Sequence, residues 1–79
     1  MSCPHRHDAK TDARGLLCPL PVLRARKRLL AMAPGQVLLL LASDPAAVVD
    51  VPHYCAEAGH ELLDMTEQSD CIAYLIRRG

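Results

Sequence analysis

With 79 residues, 51% of them hydrophobic, the chain suffices for one packed domain and is too short for a second. A domain this small buries only roughly 60% of the surface its unfolded form exposes, which leaves no depth for a large enclosed cofactor, and two aromatic residues, Tyr54 and Tyr74, cannot build the stacking platform of a single-strand nucleic-acid binder. Nine basic residues balance nine acidic ones, yet most basic side chains crowd the first half and seven of the acidic ones follow from Asp44 to Asp70, a split that steers a charged partner protein without indiscriminate polyanion binding.

Met1 to Lys10 is polar and His-rich, which predicts a flexible tail and argues against a signal peptide. Thr11 to Ala13 reads as a short strand ending at Gly15. Cys18-Pro19-Leu20-Pro21 opens the clearest helix, which runs to about Met32. Prolines suit its start, where a missing N–H costs nothing. Val22, Ala25, Leu29 and Met32 form an apolar stripe at helical spacing, Arg24, Lys27 and Arg28 lie largely opposite, and Pro34-Gly35 stops the helix. Gln36 to Ala42, apolar and bounded by turn signals, fits a central strand buried on both faces. Even this apolar run is far shorter than the roughly 20 residues that span a bilayer, so no membrane association is expected.

Asp44-Pro45 supplies an N-cap and a proline at N1 for a second helix. This helix reaches about Ala58, with Gly59 as its C′ residue and Pro52 expected to split it into a short turn and a main helix. Glu61 to Thr66 and Cys71 to Arg77 read as strands joined by a hairpin loop at Glu67-Gln68-Ser69-Asp70. The order β-α-β-α-β-β favours a two-layer α/β sandwich, a mixed sheet with two helices on one face. Apolar residues on both faces of the last strand hint that the second sheet face meets a partner.

The chain reads as cytoplasmic, so its four cysteines are expected to be reduced thiols with no disulfide framework. Cys18 stands out. It directly precedes a proline-initiated helix, where unpaired N–H groups and the macrodipole favour an anion, and thiolates near helix N-termini have lowered pKa values. Arg14, Arg24 and Arg26 are close enough in sequence to add positive potential. Gly15, Pro19 and Pro21 shape and stiffen the loop that presents the sulfur, which makes Cys18 a candidate nucleophile. A small apolar filler beneath the helix start is the plainer alternative. Cys55 and Cys71 read as core, since free cysteine is among the most buried residue types. Cys3, His5 and His7 are of metal-ligand type, but without a matching second ligand pair no metal site is expected. His53 and His60 flank the second helix as surface or cap residues.

The run Asp12-Ala13-Arg14-Gly15-Leu16-Leu17-Cys18-Pro19-Leu20-Pro21, followed by Arg26-Lys27, resembles the signature of the TusA-like (SirA/YedF/YeeD) sulfur-carrier proteins. Pro34-Gly35, Asp44-Pro45, Asp50, Cys55, Gly59-His60-Glu61-Leu62 and Tyr74-Leu75-Ile76-Arg77 match in register, so the resemblance covers Thr11 to the C-terminus. It implies a compact sandwich similar to the C-terminal domain of bacterial translation initiation factor three. It also implies that Cys18 accepts sulfane sulfur as a persulfide, without a cofactor. The donor would be a cysteine desulfurase or a rhodanese-type protein, and the sulfur would pass to a downstream acceptor protein in tRNA thiolation, molybdenum-cofactor supply or sulfur metabolism. Arg26, Lys27 and Asp44 match positions where partner contacts are expected, and a monomer that docks transiently is the simplest form of such a carrier. Leu20 departs from the acidic residue that thiolation-type members often carry between the two prolines, which weakens the tRNA relay in particular. The competing reading is a non-catalytic interaction module.

Overall fold

A computed structural model describes residues 7–79; Cys3, His5 and most of the expected tail lie outside the described residues. The elements follow the order read from the sequence: β1 (Ala9–Ala13), α1 (Leu20–Leu30), β2 (Val37–Ala42), α2 (Ala47–Ala58), β3 (Glu61–Glu67) and β4 (Ile72–Arg77). The sheet runs β1-β2-β4-β3. β1 pairs parallel to β2, while β4 lies antiparallel to both β2 and β3. The two crossovers place α1 and α2 on the same face. Ala25 and Leu29 of α1 and Val51 and Cys55 of α2 share one buried cluster with Leu38, Leu40, Tyr74 and Ile76 of the central strands.

The strands explain their own sequence patterns. β2 is apolar at nearly every position because both its faces are covered: Leu38, Leu40 and Ala42 pack beneath the helices, while Leu41 packs with Cys71 and Ala73. β1 begins two residues earlier than its sequence suggests, with Ala9 opposite Leu38 and Lys10 opposite Leu39. Polar Lys10, Thr11 and Asp12 hide this edge strand, whose buried anchors are the two small residues Ala9 and Ala13. Asp8 extends the pairing, donating its N–H to the Val37 carbonyl at 2.8 Å and accepting the Val37 N–H on Oδ2 at 2.8 Å. The far edge, β3, is mostly exposed, carries Glu61, Asp64 and Glu67, and slips register around Leu63. Charge and a bulge are what keep an open edge from recruiting another strand.

Both helices depart in detail from expectation. α1 ends at Leu30, because the N–H groups of Ala31 and Met32 turn to the carbonyls three residues back and tighten the last turn. The reversal into β2 then runs through Gly35 at φ +90°, a conformation that favours glycine. Arg78 clasps this end, its Nε donating to the Leu29 carbonyl at 2.7 Å, a cation placed where the helix dipole is negative.

Asp44 and Pro45 form a lead-in turn, with the Ala47 N–H on the Asp44 carbonyl, and α2 proper starts at Ala47. Pro52 does not split it. The carbonyl a residue at position 52 would normally reach is that of Val48, in the exposed first turn. The lost bond therefore falls at the solvent-facing end, while Val51 and Cys55, one turn apart and both buried, hold the helix continuous. Gly59 closes it at φ +79°.

Leu29 is fully buried at the centre of the cluster, so Leu29→Ala is expected to lower unfolding free energy by about 2–5 kcal/mol in urea titration. Tyr74 is equally buried, and its hydroxyl has no hydrogen-bond partner among the described residues. Tyr74→Phe removes that enclosed polar group and is expected to raise stability by about 1 kcal/mol in the same titration.

Candidate functional site

Because β1 and β2 are parallel, the loops that leave their carboxyl ends emerge side by side, Ala13 lying opposite Ala42. The first loop carries Cys18. The second carries Ser43 and Asp44, and the two are laced together. Gly15, at φ +81°, donates its N–H to Ser43 Oγ at 2.8 Å, and the Leu16 N–H returns to the Ala13 carbonyl at 3.2 Å. The Cys18 N–H donates to Asp44 Oδ2, while Oδ1 of the same carboxylate accepts the Ala46 N–H at 3.1 Å. Asp44 thus bridges the cysteine loop and the turn that leads into α2. The Cys18–Pro19 peptide bond is cis, Pro19 is the N-cap of α1, and Pro21 is buried beneath the first turn.

The Cys18 side chain is exposed, and its Sγ donates to Asp50 Oδ2 at 2.8 Å. The expected lowering of the thiol pKa is overturned. The hydrogen bond to Asp50 pushes it up first, followed by partial desolvation and by the negative charges of Asp50 and Asp44. The reason is positional: α1 begins two residues beyond Cys18, at Leu20, and the thiol reaches across to the other helix.

Arg14 does not supply the expected positive potential either. Its Nε and Nη2 hold the Asp12 carboxylate at 2.9 and 2.7 Å, and Nη1 lies 3.6 Å from Asp70. The pairing keeps the Asp12 carboxyl down at about 2. Arg26 and Lys27 point to different surroundings. Arg26 is near enough to Tyr54 of α2 to oppose the rise in its pKa, whereas Lys27 lines a groove with Arg24, Arg28 and Thr11. Asp44, expected as a partner contact, has both oxygens engaged within the chain.

Beside the sulfur lies a shallow cavity of about 260 Å³, walled by Cys18, Pro19 and Val22 on one side and by Asp50, Tyr54 and Glu57 on the other. His53 lies 3.4 Å from Glu57. Leu17, 70% exposed, and Leu20, 44% exposed, stand on either side of Cys18 in the chain. The other two described cysteines are withdrawn, as their sequence setting suggested. Cys55 is buried in the main core, with its thiol pushed up to about 11 by burial; Cys71 is buried on the second sheet face, its Sγ 3.7 Å from Gln68 Oε1. His60 accepts the Gly79 N–H on Nδ1 at 3.0 Å, leaving Nε2 to face the Tyr54 hydroxyl at 3.5 Å, a structural placement. Among the described residues no group of three His, Cys, Asp or Glu side chains is placed to hold a metal ion, and no helix is long and apolar enough to cross a membrane.

Asp50 is the site residue that reasoning from local sequence misses. It lies 32 positions from Cys18, and an acid in the first turn of a helix is commonplace because the dipole favours it there.

Comparison with known proteins agrees with this architecture. The family model described as sulfurtransferase TusA matches residues 9–78. Sulfur carrier protein TusA of Allochromatium vinosum is 44% identical, the match covering 90% of this chain and 93% of that protein. The Pseudomonas entomophila protein of the same name is 43% identical, with 91% and 90% covered. The crystal structure of a SirA-like protein from Desulfitobacterium hafniense superposes with a TM-score of 0.80 at 26% identity, covering 90% of this chain and 97% of that one.

Since the Asp44 carboxylate satisfies two backbone donors at once, Asp44→Ala is expected to cost about 1–2 kcal/mol in urea titration, with Asp44→Asn recovering part of that loss.

Proposed function

The chain belongs to the TusA sulfurtransferase family, and from that premise we propose that it is a sulfur carrier that holds sulfane sulfur on Cys18 as a persulfide. The observation that carries this reading is the contrast among the described cysteines. One is exposed on a loop fixed through its own N–H, and two are buried. A thiol that must enter a partner's active site has to protrude, and its backbone has to hold still.

In the transfer, Cys18 Sγ attacks the terminal sulfur of a donor persulfide. The donor's S–S bond breaks, its electron pair leaves with the donor thiolate, and Cys18–S–SH remains. A thiolate of the acceptor repeats the exchange in the opposite sense. No organic cofactor enters this chemistry, and the chain acts as a carrier-type sulfurtransferase. A cysteine desulfurase or rhodanese-type protein is the proposed donor, and a thiol-bearing protein the acceptor. Leu17 and Leu20 offer such partners an apolar rim, and Arg26, on the α2 side of α1, offers them a charge next to the cavity. Lys27 belongs to a separate basic groove. The carrier works as a monomer in the cytoplasm, where its thiols stay reduced.

Intact-protein mass spectrometry after incubation with a cysteine desulfurase and cysteine tests the assignment, with polysulfide as an alternative donor. Wild type should gain a reducible sulfur atom, Cys55→Ser and Cys71→Ser should gain it equally, and Cys18→Ser should gain none. Loading that survives Cys18→Ser removes Cys18 from the role.

A further inference from the structure

We propose that Asp50 is a proton lock on Cys18: its Oδ2 holds the resting thiol through the Sγ–H···O hydrogen bond, and a cationic group brought by the sulfur donor opens it. The inference rests on the carrier reading and adds the chemistry a donor must present.

Three observations converge on it. The first is geometric: Sγ and Oδ2 are 2.8 Å apart with the sulfur assigned as donor, so the contact holds a proton between the thiol and the carboxylate and is lost when both are ionised. The second is the surroundings. From α2 and its lead-in turn, Asp44, Asp50, His53, Tyr54 and Glu57 lie around the sulfur and its cavity. From α1, Arg26 acts on Tyr54, while Arg24, Lys27 and Arg28 line the groove with Thr11. From the β1 loop, Arg14 is held by Asp12 and Asp70. Among the described residues, then, the acids near Cys18 are not matched by a cation in contact with Asp50. The third is access. Asp50 is half-buried at the wall of an open cavity, next to an exposed sulfur, so a group entering with the donor reaches the carboxylate and the thiol together.

The sequence of events balances without a further reactant. A cation of the donor pairs with Asp50 and draws the carboxylate from the thiol, whose proton passes to water. The Cys18 thiolate forms a bond to the terminal sulfur of the donor persulfide, R–S–SH. The S–S bond of the donor persulfide breaks, its electron pair leaves with R–S⁻, and R–S⁻ takes a proton from water. The net change is Cys18–SH plus R–S–SH giving Cys18–S–SH plus R–SH. A neutral or anionic thiol reagent leaves the lock shut, which protects the exposed sulfur from chance electrophiles between partners.

The test reads the proton, not the sulfur. The alkylation rate of Cys18 by iodoacetamide, followed by peptide mass spectrometry across the neutral to alkaline range, is compared in wild type, Asp50→Asn and Asp50→Glu. Asp50→Asn should react about fivefold faster near neutrality, with its rate profile moved to lower pH, and Asp50→Glu should stay near wild type. A second comparison uses the trimethylammonioethyl and sulfonatoethyl methanethiosulfonates as cationic and anionic probes. The cation-to-anion rate ratio at Cys18 should be high in wild type and fall severalfold in Asp50→Asn. An alkylation profile unchanged by Asp50→Asn overturns the lock, and a charge preference that survives the substitution overturns its opening by a cation. Neither measurement involves sulfur loading, so absence of loading onto Cys18 would defeat the carrier reading alone.

Discussion

Everything at the sulfur end of this molecule depends on the parallel pairing of β1 with β2. An antiparallel neighbour would send its following loop to the opposite end of the sheet; a parallel one delivers both loops to the same end. That coincidence lets one carboxylate, Asp44, take the Cys18 N–H and the Ala46 N–H together. The cysteine loop is thereby fastened to the start of α2, and α2 in turn brings Asp50 within hydrogen-bond distance of the thiol. Fold and site are joined through these few polar contacts at the rim of an apolar sandwich.

Two carboxylates from one short stretch thus divide the work on a single residue. Asp44 holds the backbone of Cys18 and Asp50 holds its side chain. Both act on the thiol in the same electrostatic sense, raising its pKa, against the pull of the nearby helix terminus. The comparison with Cys55 is instructive. There burial alone pushes the thiol up to about 11, and no approaching group can relieve it. At Cys18 the restraint is a contact at the surface, and a surface contact can be exchanged.

The sandwich was legible in the sequence because its signals are local: the apolar run of β2, the Pro-initiated stripe of α1 and the Gly59 stop each announce one element. Strand β1 was legible only in part, because an edge strand anchored by Ala9 and Ala13 has little hydrophobic pattern to read. Pro52 misled because its cost depends on where its missing bond falls, which only the helix register reveals. At the site, Cys18 and its loop residues Gly15, Pro19 and Pro21 were legible from the motif. The charge environment was not: Arg14, close in sequence, is held by Asp12, while Asp50, distant in sequence, is the group hydrogen-bonded to the thiol.

The far edge of the sheet has a bearing on how long any complex lasts. A partner that extended the sheet along β3 would be held by a ladder of backbone bonds and would leave slowly. Register slippage at Leu63 and the acids at Glu61, Asp64 and Glu67 make that ladder hard to build. Partners are left with side-chain contacts around the cysteine loop, an attachment small enough to be remade at every encounter. Brief residence is what a courier of single atoms requires, since its throughput is set by how quickly it departs.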